Sequence, residues 1–377
     1  MKSLHPLRRT LITSLAGAFL LTASAAPAHA ASVTTAAWGT ADSQPVSLYT
    51  LTGNHVTVRI TNFGAHIVSI QAPDRTGKLA DVALGYNDLA GFQADAKTYM
   101  GSVVGRYGNR IAKGTFSLDG QTFHIPTNDH GNALHGGTVG FDRKVWTGKP
   151  VPGGVEFTLV SPDGDMGFPG TLTAHVRYTL IGDALHISYS ATTTSPTVLN
   201  LTNHTYFNLA GEGHGDILGH IMMIDADRFT PVDATLIPTG QLDSVEGTPL
   251  DFRTPTAIGK RINDPNDQLK LGGGYDHNWV LNTHGESLHL AAKVVEPVSG
   301  RTLTVTTTQP GVQFYSGNFL DGSFTGISGN KYEKHFGFCL ETQHYPDSPN
   351  HPAFPSTELK PGQTFRSETV FTFGVEK

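Results

Sequence analysis

Thr115-Phe116-Ser117-Leu118-Asp119-Gly120-Gln121-Thr122-Phe123-His124-Ile125 sets two short runs of strand-forming residues on either side of an Asp-Gly pair. Glycine tolerates the positive φ of a two-residue hairpin turn, so the stretch predicts two antiparallel strands joined tightly. Alternating polarity recurs outward from it. Val56, Val58 and Ile60 alternate with Thr57 and Arg59; Val155, Phe157 and Leu159 with Glu156 and Thr158; Leu185, Ile187 and Tyr189 with His186 and Ser188. Each set buries one face of a strand. The 43 Gly and 22 Pro are scattered between such runs and interrupt most helical candidates before three turns are complete. The expected fold class is all-β, with few short helices and two large sheets packed face to face. Ser32 to Gln44 reads as a loose lead into the first strand, and Gly272-Gly273-Gly274 as a turn.

The first thirty residues have the order of a secretory signal. Lys2, Arg8 and Arg9 precede an apolar stretch from Leu11 to about Ala26, and Ala28-His29-Ala30 offers a cleavage site. Residues 1–30 are therefore expected to be a removed signal peptide and 31–377 a single domain with its core at about 45–377, exported to the periplasm or secreted. Arg8-Arg9 leaves the twin-arginine and general export routes open.

Without residues 1–30 the chain carries 23 Lys and Arg against 32 Asp and Glu, a formal charge of −9. Such a surface repels phosphate backbones, and no basic run offsets it, so nucleic acid is not an expected partner. No later apolar stretch is long enough to span a membrane. Cys339 is the only cysteine, so neither an internal disulfide nor a cysteine-rich metal site can form.

G-x-S-x-G, G-x-x-x-x-G-K-[ST], H-E-x-x-H and a strand-G-x-G-x-x-G-helix unit are all missing. Histidines and carboxylates remain as the plausible catalytic groups. They concentrate in segments mixing polar groups with Gly and aromatic residues, the composition of a sugar site: planar polar groups bind hydroxyls and aromatics cover C–H faces. The segments are V-V-G-R-Y-G-N-R-I-A-K-G at 103–114, N-A-L-H-G-G at 132–137, L-T-N-H-T-Y-F-N-L at 201–209, G-Y-D-H-N at 274–278, G-V-Q-F-Y-S-G-N-F-L-D-G at 311–322 and L-E-T-Q-H-Y-P-D-S-P-N at 340–350.

Together and in this order, over nearly the whole chain after residue 30, these six segments resemble the aldose 1-epimerase (galactose mutarotase) family. The resemblance implies a large antiparallel β-sandwich, the galactose mutarotase-like supersandwich, with an open sugar cleft. It implies an isomerase that interconverts the α and β anomers of a free aldohexose or aldopentose. Glu341 is then the catalytic base and His204 the catalytic acid, with Asn109, Arg110, His135, Asp276 and Gln313 around the sugar. Ring opening by proton transfer needs no cofactor and no metal. Arg106, His277 and Tyr345 receive no role. Two other readings stay open on the residues alone: a glycosidase using Asp276 and Glu341 as paired carboxylates, and a sugar-binding protein without catalysis.

Overall fold

The computed structural model describes Met1 and residues 31–283, 285 and 287–376. Residues 2–30 of the expected signal peptide therefore lie outside the described residues. Strands dominate, and the α-helices among the described residues are two of six residues each, Leu89–Ala94 and Asp267–Gly272. Asn266 caps the second by accepting from Gln268 and Leu269 N–H, and Gly273 closes it in the left-handed region, so the Gly-rich stretch is a helix stop followed by a turn.

A nine-stranded antiparallel sheet runs in the order Thr147–Val151, Gly154–Ser161, Leu172–Ile181, Ala184–Thr193, Phe365–Val375, Arg301–Thr307, His289–Val295, Ile221–Ile224 and Thr256–Ala257. A six-stranded sheet runs Tyr206–Phe207, Phe338–Gln343, Gly311–Tyr315, Asp276–Val280, Arg228–Thr230 and Asp243–Ser244. One hydrophobic core draws on both: Val176, Ile187, Leu303 and Phe371 from the first, Trp279, Val312, Phe314 and Leu340 from the second. Phe207 and Phe371 meet edge to face across the two, ring centroids 5.1 Å apart. Alternation then sends the intervening residues of the six-stranded sheet, among them Asp276, Gln313 and Glu341, to its opposite face.

The hairpin forms as expected, Thr115–Leu118 pairing with Gln121–His124, with φ of 49° at Asp119 and 77° at Gly120. Val56, Val58, Ile60, Val155, Phe157, Leu185, Ile187 and Tyr189 are buried, as their alternation implied. One boundary differs. Ser32–Ala41 is no loose lead but a ten-residue strand paired with Gln44–Thr52 at the edge of a five-stranded sheet, turned at Asp42 and Ser43 with φ of 48° and 62°. Most of its side chains are exposed, so it carries no buried alternating face for the sequence to signal.

Candidate active site

Five chain segments bring polar side chains to one cleft over the polar face of the six-stranded sheet. Asn109, Arg110, His135, His204, Asp276 and Glu341 line it, with Tyr99, Tyr206, Tyr315 and Phe319 among the remaining wall residues.

The first two segments are locked together by backbone geometry. Asn109 and His135 both take left-handed conformations, φ 65° and 52°. Asn109 N–H donates to His135 Nδ1 at 3.1 Å, and His135 N–H donates to the Asn109 carbonyl at 3.2 Å. A ring whose Nδ1 accepts carries its proton on Nε2, so neutral His135 is a donor toward the cleft. Arg110 Nε donates to Asp129 at 2.8 Å, and its Nη1 lies 3.9 Å from Asp276 Oδ2. The guanidinium is thus held within reach of both the cleft and its acidic neighbour.

His204 follows Thr202–Asn203, which pairs with Val103–Val104. Its own N–H donates to the Ser102 carbonyl, and Asn203 turns the chain by accepting from the Thr205 N–H and hydroxyl. Cys339 Sγ stands 3.5 Å from His204 Nδ1, while Nε2 faces Glu341 Oε1 at 3.7 Å.

Glu341 sits in the middle of Phe338–Gln343, directly opposite Gln313, which is in turn opposite Asn278. Gln313 Nε2 donates to Asp276 Oδ1 at 2.8 Å. Gln313 stands one step behind the wall and fixes Asp276 rather than lining the cleft. His277, next along the strand, points to the core side, and Arg106 is buried with its guanidinium spent on Ser161, Pro162, Pro169 and Gly170 carbonyls.

Burial sets the charge states. It pushes Glu341 well above the usual carboxylate range, helped by Asp276 and opposed by Arg110. It lowers His204 to about 4 and His135 well below its usual value. The Asp276 carboxyl is raised by burial and pulled back by Arg110 and Gln313. With the cleft empty, both shifts favour the neutral forms of Glu341 and His204.

The nearest ligand atoms of His135, His204 and Glu341 lie within 4.8 Å of one another. The His135 tautomer argues against a metal there, since the proton on Nε2 leaves no free lone pair aimed at the cluster. The arrangement suits proton transfer to and from a neutral polyol.

The aromatic wall went unnamed in the sequence. Tyr99 packs 4.6 Å from His135 and 5.9 Å from His204, Tyr206 lies 5.1 Å from His204, and Phe319 stacks on Tyr315 at 5.8 Å. Tyr206, Tyr315 and Phe319 sit inside the motifs quoted above, two residues or fewer from His204 or Gln313 except for Phe319. Strand alternation from Gln313 identifies Tyr315 as facing the same side.

The family model described as aldose 1-epimerase matches residues 47–372. Galactose mutarotase of Rattus norvegicus is 48% identical over 330 residues, covering 88% of this chain and 94% of that protein. The Homo sapiens galactose mutarotase is 46% identical over 347 residues, 92% of this chain and 99% of that one. The crystal structure of galactose 1-epimerase from Lactobacillus acidophilus superposes with a TM-score of 0.81 at 28% identity, covering 92% of this chain and 100% of that one. These relatives correct one expectation. The mammalian galactose mutarotases are cytosolic, and the periplasmic or secreted location expected for this chain is overturned. That expectation rested on the order of charged, apolar and small residues in a segment outside both the described residues and the matched family region. The chain belongs to the aldose 1-epimerase family.

Proposed function

We propose that Glu341 and His204 carry the chemistry of this protein, an isomerase that interconverts the α and β anomers of free aldoses such as glucose and galactose. Glu341 takes the proton of the anomeric O1 hydroxyl while His204 gives one to the ring oxygen O5, and the C1–O5 bond breaks. The open-chain aldehyde rotates about C1–C2 and presents its other face to O5. Reclosure returns both protons and yields the opposite anomer. Nothing is oxidised or hydrolysed.

The observation that carries this reading is the 3.7 Å approach of His204 Nε2 to Glu341 Oε1 in a buried cleft. The carboxylate–imidazolium form that starts the reaction has the same proton count as the neutral form favoured in the empty cleft. One transfer across the pair separates them, and Arg110 favours the carboxylate. Cys339 beside Nδ1 keeps Nε2 aimed at the sugar. Arg110, Asn109 and His135 Nε2–H are the donors to sugar hydroxyls, and Asp276, steadied by Gln313, is the acceptor. Residues 31–377 are read as one domain, supported by a core cluster that draws on residues from Ala31 to Phe373.

Polarimetry of freshly dissolved α-D-glucose and α-D-galactose tests the reading. General acid–base groups contribute about 10²–10⁴-fold, so Glu341→Gln and His204→Ala are each expected to lose roughly 3–5 kcal/mol of transition-state stabilisation. A folded variant with full mutarotase activity refutes the role of the residue replaced.

A further inference from the structure

Behind Glu341 lies a group of buried amides that the reaction as derived does not use. Asp276–Val280, Gly311–Tyr315 and Phe338–Gln343 run side by side, so that Asn278, Gln313 and Glu341 form one cross-strand row and Val280, Gly311 and Gln343 the next. Trp279, Val312, Phe314 and Leu340 fill the core on one face, which puts Asn278, Gln313, Glu341 and Gln343 together on the other. Their exposures are 1%, 3%, 2% and 0%. Neither amide atom of Asn278 or of Gln343 has a hydrogen-bond partner, and Gln313 Oε1 and Glu341 Oε2 have none either. Native interiors leave few polar groups unpaired, so six such atoms on adjoining positions of one sheet face call for a shared purpose.

Gly311 explains how the amides approach one another. A Cβ at that position would lie 2.5 Å from Asn278 Oδ1 and 3.1 Å from the Tyr345 ring. With no side chain there, the Asn278 amide lies across the strand that separates it from Gln343.

We propose that Asn278 and Gln343 are positioning residues for Glu341, whose amide N–H groups hydrogen-bond Oε2, directly or through one trapped water, when the carboxyl group is ionised. Oε1 faces His204, so Oε2 is the oxygen left for them. Donors aimed at the charged form favour it, and fixed dipoles do so without reorganising during the reaction. The amide pair thereby offsets part of the desolvation that opposes a carboxylate at this depth. This inference rests on the reading of Glu341 as the base.

The test replaces donors by apolar groups of similar size, Gln343→Met and Asn278→Leu, and follows kcat and KM of mutarotation against pH. Neither residue lines the cleft, so KM is expected to stay within about twofold while kcat falls about 10-fold, the worth of a hydrogen bond to a charged group. The carboxylate becomes harder to form, so the alkaline limb of kcat moves up by about one pH unit. A limb that stays in place overturns the inference, whatever happens to the melting temperature. If Asn278→Leu does not fold, Gln343→Met decides alone, together with a high-resolution crystal structure of the unmodified protein. A donor or bridging water at hydrogen-bond distance from Oε2 is expected there, and an Oε2 facing only apolar atoms overturns the proposal. Glu341→Gln separates the two failures: an active Glu341→Gln protein sinks the reading of the base, whereas an inactive one beside an unmoved limb sinks the amide role alone.

Discussion

Glu341 and His204 lose charge for the same reason, burial, and their opposite shifts bracket the range in which the pair holds one proton, with consequences for rate. The active pair holds one proton. Below about pH 4, where His204 gains its proton while Glu341 keeps its own, no carboxylate is left to act as base. Above the raised Glu341 value the pair loses its only proton, and no acid is left for O5. A bell-shaped kcat profile is therefore expected, with an acidic limb near pH 4 and an alkaline limb well above the usual carboxylate range; both limbs belong to the pair rather than to either residue. A rate that already collapses on going from pH 6 to pH 5 contradicts it. Cys339 adds a smaller effect at the same scale. Burial holds its thiol well above the usual value, so it meets His204 Nδ1 as a neutral group. A neutral hydrogen bond contributes about 0.5–1.5 kcal/mol, so Cys339→Ala is expected to lower kcat about 3- to 10-fold at unchanged KM, with Cys339→Ser closer to the unmodified protein. Equal rates for all three show that the contact does nothing for the imidazole.

Elements deliver these side chains through turns with demanding backbone geometry. Gly136 has φ of 92°, and a Cβ there would lie 2.2 Å from the Gly105 carbonyl oxygen. Gly136→Ala combines a left-handed penalty of about 1–2 kcal/mol with that collision, and it displaces His135 next door. The expected result is a lower melting temperature and a raised KM for galactose. Gly120→Ala is the control, with φ of 77° but open space around its Cβ, and it should lower stability by about 1 kcal/mol and leave KM alone. The difference bears on what the sequence makes legible. Asp119-Gly120 announces its hairpin because the turn is solved by two adjacent residues, and buried strands announce themselves through alternation. The placement of His204 and Glu341 in one cleft was legible through motifs, since the proposed catalytic groups and their supporting turns are contiguous. Ser32–Ala41 was not, because an exposed edge strand satisfies its backbone with one neighbour and needs no apolar pattern. Nor was Gln313 behind Asp276 separable from the wall residues, because that depends on cross-strand register.

At the scale of the whole molecule, the last strand carries more than its place in the chain suggests. Phe365–Val375 lies between Ala184–Thr193 and Arg301–Thr307, so the nine-stranded sheet is continuous only through it. Its Phe371 is buried and meets Phe207 of the six-stranded sheet, whose neighbouring strand carries Glu341. Truncating a buried aromatic ring to alanine costs about 3–5 kcal/mol, a large part of the stability of a typical domain. Phe371→Ala is therefore expected to lower the unfolding free energy by that amount, read as a lower denaturant midpoint, while leaving the KM of the folded fraction unchanged, because no cleft residue is removed. Trp146 lies in the half of the sequence before the strands that line the cleft and Trp279 within them, so tryptophan fluorescence and circular dichroism sample both parts of the core. If residues 31–377 form one cooperative domain, the two signals follow the same transition in the unmodified protein and move together in Phe371→Ala. Two separated transitions, with only one displaced by the substitution, contradict the single-domain reading and locate the boundary on one side of this strand.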